Sequence, residues 1–169
     1  LAAKRMAKLL GGEGRVAIVQ QPGTESVAAR VQGFVDEAFD QGLEIYKPYL
    51  NGNDDTQKSE RAAHAAIMAN KDLKGIFAAN DNMAMGAEAA INASNRDIVL
   101  IGYDAAPAAQ QKIKQGGAWK ADVIQYPFEI GKMTVTTIDK FLKGMINKQE
   151  ETIVVPVKVG LVDQESLSE

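Results

Sequence analysis

Residues 75–86, Gly-Ile-Phe-Ala-Ala-Asn-Asp-Asn-Met-Ala-Met-Gly, constrain this chain more than any other stretch. Residues 75–79 form a short apolar run, the length of a buried strand. Asn80, Asp81 and Asn82 break the run. Residues 83–93 then read as a helix, with Asp81 or Asn82 as its N-cap. A strand thus ends in two amides and a carboxylate just where a helix begins. In open α/β sheets ligands bind outside the carboxyl ends of the strands, so the question is whether other strands bring polar groups to the same edge.

The rest of the chain repeats the unit. Residues 15–19, 43–49, 98–102 and 121–124 read as further strands, and 152–159 as a last one interrupted by Pro156. Helical periodicity covers 1–10, 27–41, 56–70, 107–115 and 128–145. Gly11, Gly42 and Gly116 supply stops after three of these, and Pro48 puts the end of the second strand at an edge or bulge. Strands alternating with helices of this length imply right-handed crossovers and a mostly parallel sheet covered on both faces, a three-layer α/β sandwich. Parallel strands would gather five polar sets on one edge: 24–26, 51–55, 80–82, Asp104 and Gln125. Amides and carboxylates exchange hydrogen bonds with hydroxyls at a net value of about 1 kcal/mol each. Such an edge suits a neutral polyhydroxylated ligand better than a phosphate. Gly11-Gly12-Glu13-Gly14 follows a helix and precedes a strand, the wrong order for a phosphate loop.

Composition removes other classes. The chain has 169 residues and no cysteine, so disulfides, thiolate metal sites and cysteine nucleophiles are excluded. Its 19 lysines and arginines are scattered against a net charge of -3, which argues against a nucleic-acid surface. No apolar run approaches the ~18 residues of a membrane span. Lys4, Arg5 and Lys8 interrupt residues 1–10, giving an amphipathic helix and no signal peptide in this chain. With a helix first and no initiator methionine, the chain reads as a fragment or an excised domain. His64, the only histidine, reads as a surface or half-buried helix residue four positions after Glu60. Asp54 and Asp55 read as helix-capping acids, Trp119 as a packing residue before a strand, and Phe77, Met83 and Met85 as core. No serine lies in a nucleophile elbow.

Three segments together, GIFAANDNMAMGA, IVLIGYDA and ADVIQYP, resemble the carboxyl-terminal lobe of periplasmic sugar-binding proteins of the ribose/galactose type, the type I periplasmic binding protein fold. PGTESVAARVQGF fits the loop that opens this lobe, and the resemblance covers nearly the whole chain. It implies a flavodoxin-like lobe over residues 1–127, followed by a crossover helix and last strand over 128–169 that return to a missing amino-terminal lobe. It implies a non-catalytic solute-binding role in carbohydrate transport, without cofactor, catalytic residue or metal. The partners would be a sugar, the absent lobe and the permease of an ABC transporter, with no nucleic acid, and the location periplasmic, extracellular or on a cell-surface lipoprotein. Carried over, Asn80, Asp104 and Gln125 hydrogen-bond sugar hydroxyls and Tyr103 lies beside the sugar. Arg30 matches an arginine that forks onto hydroxyls when counted from Pro22; counted back from Phe34 the position falls on Ala28. The family's aromatic stacking wall is missing near 51–55, where this chain has Asn53, Asp54 and Asp55. Without its partner lobe the helix at 128–145 would fold back, expose an apolar stripe, or form a homodimer. Effector domains of lactose-repressor-like regulators share the pattern and are the alternative; an enzyme on a flavodoxin-like sheet is a third reading.

Overall fold

The computed structural model describes residues 1–146 and 154–168. In chain order its elements are α1 (Ala2–Leu10), β1 (Gly14–Gln20), α2 (Glu25–Asp40), β2 (Leu43–Ile45), β3 (Leu50–Asn51), α3 (Thr56–Ala69), β4 (Leu73–Ala78), α4 (Asp81–Ser94), β5 (Val99–Asp104), α5 (Pro107–Gln115), β6 (Trp119–Ile124), α6 (Pro127–Leu142) and β7 (Gly160–Asp163). The sheet order is β2-β1-β4-β5-β6-β7, with β3 also pairing β1. Every pairing is parallel except β6 with β7. The α/β class and mostly parallel sheet expected from the sequence are present.

Local chemistry accounts for most boundaries. Gly11 closes α1 in the left-handed region at φ 79°, donating its N–H to the Ala7 carbonyl. Asp55 caps α3 by accepting from the Lys58 N–H at 2.6 Å. The strand expected over 43–49 stops at Ile45, and a separate two-residue strand, β3, follows Pro48, which has no N–H to continue the ladder. Trp119 is a buried member of β6 and not of the loop before it, although its packing role stands.

The last strand is a correction. Residues 152 and 153 lie outside the described part, and 154–159 carry no strand. The strand is Gly160–Asp163, antiparallel to β6, with Ile124 opposite Gly160 and Ala121 opposite Asp163. Asp163 anchors it: its carboxylate lies 3.0 Å from the Arg5 guanidinium and caps the turn through the Ser166 N–H.

The core alternates across β1. On one face a Cβ added at Gly75 would meet Met6 Sδ at 2.7 Å and Val16 at 3.2 Å, so α1 seats directly on the sheet there. On the other a Cβ at Gly52 would meet Val19 at 2.8 Å and Met83 at 2.9 Å. Phe34 of α2 stacks on Phe77 of β4 with centroids 4.2 Å apart. Burying each such side chain contributes about 1.5–3 kcal/mol. Helices α3 and α4 approach closely at Gly86, where a Cβ would collide with the Thr56 carbonyl oxygen. Arg96 ties the end of α3 to β4, donating to the carbonyls of Ile67, Asn70, Lys71 and Leu73 at 2.7–2.8 Å.

The chain divides into two compact units, Leu1–Ile124 with Gly160–Glu169, and Gln125–Val159. The sheet of the first carries the core just described. In the second, no residue of α6 is buried, and Phe128, Val135, Leu142 and Met145 are exposed.

Candidate functional site

The sheet order reverses between β1 and β4: β1 continues to β2 on one side, while β4 and β5 lie on the other. In doubly wound sheets this switch point opens a crevice at the carboxyl ends of the strands. Here the Ala79 N–H donates to the Val19 carbonyl at 3.0 Å, drawing the ends of β1 and β4 together.

Arg30 projects over this edge from the second turn of α2. Its Nη1 donates to the Ala79 carbonyl at 2.8 Å and lies 3.1 Å from Asp104 Oδ1. Its guanidinium carbon stands 4.0 Å from the centre of the Tyr103 ring, a cation–π distance. The α2 residue that reaches this edge is therefore Arg30; Ala28 is exposed. Burial raises the Tyr103 phenol above its ordinary value against the opposing pull of Arg30, with Asp104 adding to the rise. Tyr103 is therefore a neutral hydroxyl, able to donate or accept.

Asn80, and neither Asp81 nor Asn82, caps α4: its Oδ1 accepts from the Met83 N–H at 3.0 Å. Its extended backbone suits the cap position, whereas Asp81 already belongs to the helix. Asn80 Nδ2 donates to Asp54 Oδ1 at 2.6 Å, and Asn82 Nδ2 donates to the same oxygen at 3.0 Å. Asp54 is thus not the capping acid expected of it; only Asp55 caps. A left-handed pair, Asn53 at φ 53° and Asp54 at φ 56°, turns Asp54 toward these amides. The signal for that turn is Asn-Gly-Asn-Asp, residue types that tolerate this conformation.

Asp104 sits at φ 115° and Ala105 at φ 56°. Two consecutive non-glycine residues at positive φ cost on the order of 1–3 kcal/mol each and need outside support. The Ala106 N–H donates to Asp81 Oδ2 at 2.7 Å, and Gln110 Nε2 donates to the Ala105 carbonyl at 2.8 Å. The corner that presents Asp104 is therefore held from α4 and from α5.

Four of the five sequence-derived residues, Arg30, Asn80, Tyr103 and Asp104, come together at the carboxyl edge of the first unit. Gln125 opens the second unit, directly after Ile124, and is not placed with them. A cavity of about 630 Å³ lies at the opposite edge among Glu13, Gly14, Arg15, Glu44, Asp72 and Lys74. Its volume suits a small ligand, but Arg15 there is already committed to Glu44 at 2.6 Å and Asp72 at 2.9 Å. Nothing in that groove matches the switch point or the strained corner. Among the described residues no group of three or more His, Cys, Asp or Glu is arranged to hold a metal, and no helix is long and apolar enough to cross a membrane.

The model of a family described as periplasmic binding protein domain matches residues 1–145. The chain is 34% identical over 160 residues to the ribose import binding protein of Bacillus subtilis, covering 94% of this chain and 51% of that protein. Among solved structures it is similar to an ABC transporter periplasmic solute binding protein from Actinobacillus succinogenes with bound D-allose: TM-score 0.81, 31% identity, 99% of this chain and 59% of the other. It is likewise similar to an ABC transporter solute binding protein from Agrobacterium vitis with bound D-fucose: TM-score 0.82, 30% identity, 99% and 57% coverage. The chain spans about half the length of the curated relatives it matches.

Proposed function

This chain belongs to the periplasmic binding protein domain family, and on that premise we propose that it is the carboxyl-terminal lobe of a non-catalytic sugar-binding protein serving an ABC importer. The observation that carries the reading is the Arg30–Tyr103–Asp104 cluster beside Asn80 at the switch point of the sheet. A guanidinium, a carboxylate, an amide and a phenol offer donors and acceptors to ring hydroxyls, and the Tyr103 ring offers an apolar flank. The ligand is a neutral pentose or hexose, in keeping with the D-allose and D-fucose bound by similar proteins. Gln125, the residue directly after β6, is proposed as a further partner for a sugar hydroxyl. Residues 128–169 include the connection that crosses to an amino-terminal lobe, which closes over the sugar and, with this lobe, meets a permease in the periplasm or at the cell surface.

Half a cleft binds weakly. If a complete cleft holds its sugar at about -8 kcal/mol, half the contacts leave roughly millimolar affinity. The test is backbone amide NMR of the 169-residue chain titrated with D-ribose, D-allose and D-fucose into the millimolar range. The expected result is shifts concentrated at Arg30, Asn80, Tyr103, Asp104 and Gln125. Shifts confined to the groove around Arg15 and Asp72, or none with any of the three sugars, would overturn the reading.

A further inference from the structure

Two buried acids take no direct part in the cluster described above. Asp122, in the middle of β6, is wholly buried, and Asp81, the first residue of α4, is 9% exposed. Among the described residues, neither oxygen of Asp122 nor Oδ1 of Asp81 meets a donor in full hydrogen-bond geometry, although the Val123 N–H lies near enough to pull the Asp122 carboxyl down slightly. The two carboxyls are hydrogen-bonded to each other. Two ionised carboxylates at that range repel; one shared proton turns the repulsion into a charge-assisted hydrogen bond. A single proton therefore accounts for one oxygen of each carboxyl at once.

The fold makes room for this pair. Gly102 lies opposite Asp122 in the β5–β6 ladder. A Cβ there would come within 3.0 Å of Asp122 Oδ2 and 2.9 Å of the Trp119 ring. The surrounding charges do not replace the proton. Asp81 and Asp104 are the charges acting on Asp122, and both are negative. Asp104 is paired with Arg30 of α2, Lys112 of α5 with Glu88, and Arg5 of α1 with Asp163. Val162, opposite Asp122 on β7, is apolar. Burial, reinforced by the Asp81 carboxylate, pushes the Asp122 carboxyl up to about 10. Burial raises Asp81 as well, but the bonds it accepts from Asp122 and from the Ala106 N–H hold it back.

We propose that Asp122 keeps a proton and donates it in a hydrogen bond to Asp81, and that this pair is the positioning apparatus for Asp104. The link is continuous. Asp122 fixes the Asp81 carboxylate; Asp81 Oδ2 accepts the Ala106 N–H at 2.7 Å; and the positive-φ corner at Asp104 and Ala105 is thereby held against relaxation. The value of that corner to the protein rests on the reading of Asp104 as a sugar-binding group.

The test uses the whole chain labelled with carboxyl-¹³C aspartate, with hydrogen exchange read at Ala106. Around neutral pH the Asp122 signal is expected at the position of a neutral acid and the Asp81 signal at that of an ionised one. An Asp122 signal that titrates in the ordinary range, near ~4, would overturn the shared proton. Asp122→Asn keeps a donor and Asp122→Val removes it. Exchange at Ala106 is expected to stay within about threefold of the parent in Asp122→Asn and to rise roughly tenfold or more in Asp122→Val. Equal rates in all three proteins would overturn the positioning role, and the carboxyl signals of the parent need neither variant to fold. If the carboxyl result holds while the sugars shift nothing, the ligand reading alone fails.

Discussion

Replacing Asp122 by asparagine should change how stability depends on pH, in a direction and amount the structure sets. The Asp122 carboxyl is raised from 3.8 to about 10 in the folded protein. Below about pH 4 both the folded and unfolded chains carry the proton, and the group adds no differential cost. Between about pH 4 and pH 10 the unfolded chain has released the proton and the folded chain still holds it, so stability falls as pH rises, by about 1.4 kcal/mol per pH unit. Above about pH 10 the loss levels off. Across three pH units, from about 5.5 to 8.5, the group removes about 4 kcal/mol, a large part of the stability of a typical domain. The asparagine side chain does not titrate, and every other acid is common to both proteins. The variant should therefore gain on the parent by about 4 kcal/mol over that interval. Urea unfolding followed by circular dichroism reads this directly: at an m-value near ~2 kcal/mol/M the gap between midpoints should widen by about 2 M. Parallel midpoint-against-pH curves would mean that Asp122 is ionised in the folded chain and would refute the reasoning.

Two further perturbations test the frame that carries the site. Gly86→Ala drives a methyl group into the Thr56 carbonyl oxygen and to 2.8 Å from the Glu60 nitrogen, forcing α3 and α4 apart; a loss of about 2–3 kcal/mol, or roughly 5–10 °C in Tm, is expected in a thermal melt, and an unchanged melt would refute the close approach. Arg96→Ala strips donors from four carbonyls between Ile67 and Leu73 and should cost about 2–4 kcal/mol in urea unfolding, with Arg96→Lys recovering less than half because an ammonium cannot fork across them.

What the sequence reveals follows from how local each cause is. Strands β1 and β4 carry the apolar runs 16–19 and 75–78, buried on both faces, and such runs show in the residues themselves. The Gly11 stop and the Asp55 cap act within one turn of their helices and are equally legible. The sequence puts the cap of α4 one or two residues late, because Asn80, Asp81 and Asn82 are all competent caps and only backbone geometry chooses among them. For the strand after α6 it points to the β-branched residues up to Val159. The actual one, Gly160–Asp163, is held by pairing with β6 and by Arg5, which lies at the other end of the chain. Partners that distant leave no periodicity. The candidate site divides the same way. Asn80, Tyr103 and Asp104 announce themselves as polar groups at strand ends. Asp54 and Asp122 gain their meaning only from residues brought to them by the fold: the amides of Asn80 and Asn82 for the one, the Asp81 carboxyl for the other.

The antiparallel pairing of β6 with β7 has a consequence for the modularity of the chain. Ile124, where the path leaves the sheet, and Gly160, where it returns, are register partners, so their Cα atoms stand only about 5 Å apart. A two-residue hairpin turn spans such a gap. The whole of Gln125–Val159 is thus an insert in the loop of a hairpin whose two strands already pair with each other. An insert anchored at adjacent points can be lengthened, exchanged or cut back to a turn without moving any strand out of register. The sheet that carries Arg30, Asn80, Tyr103 and Asp104 is thus closed by its own two strands at the point where that segment leaves and returns.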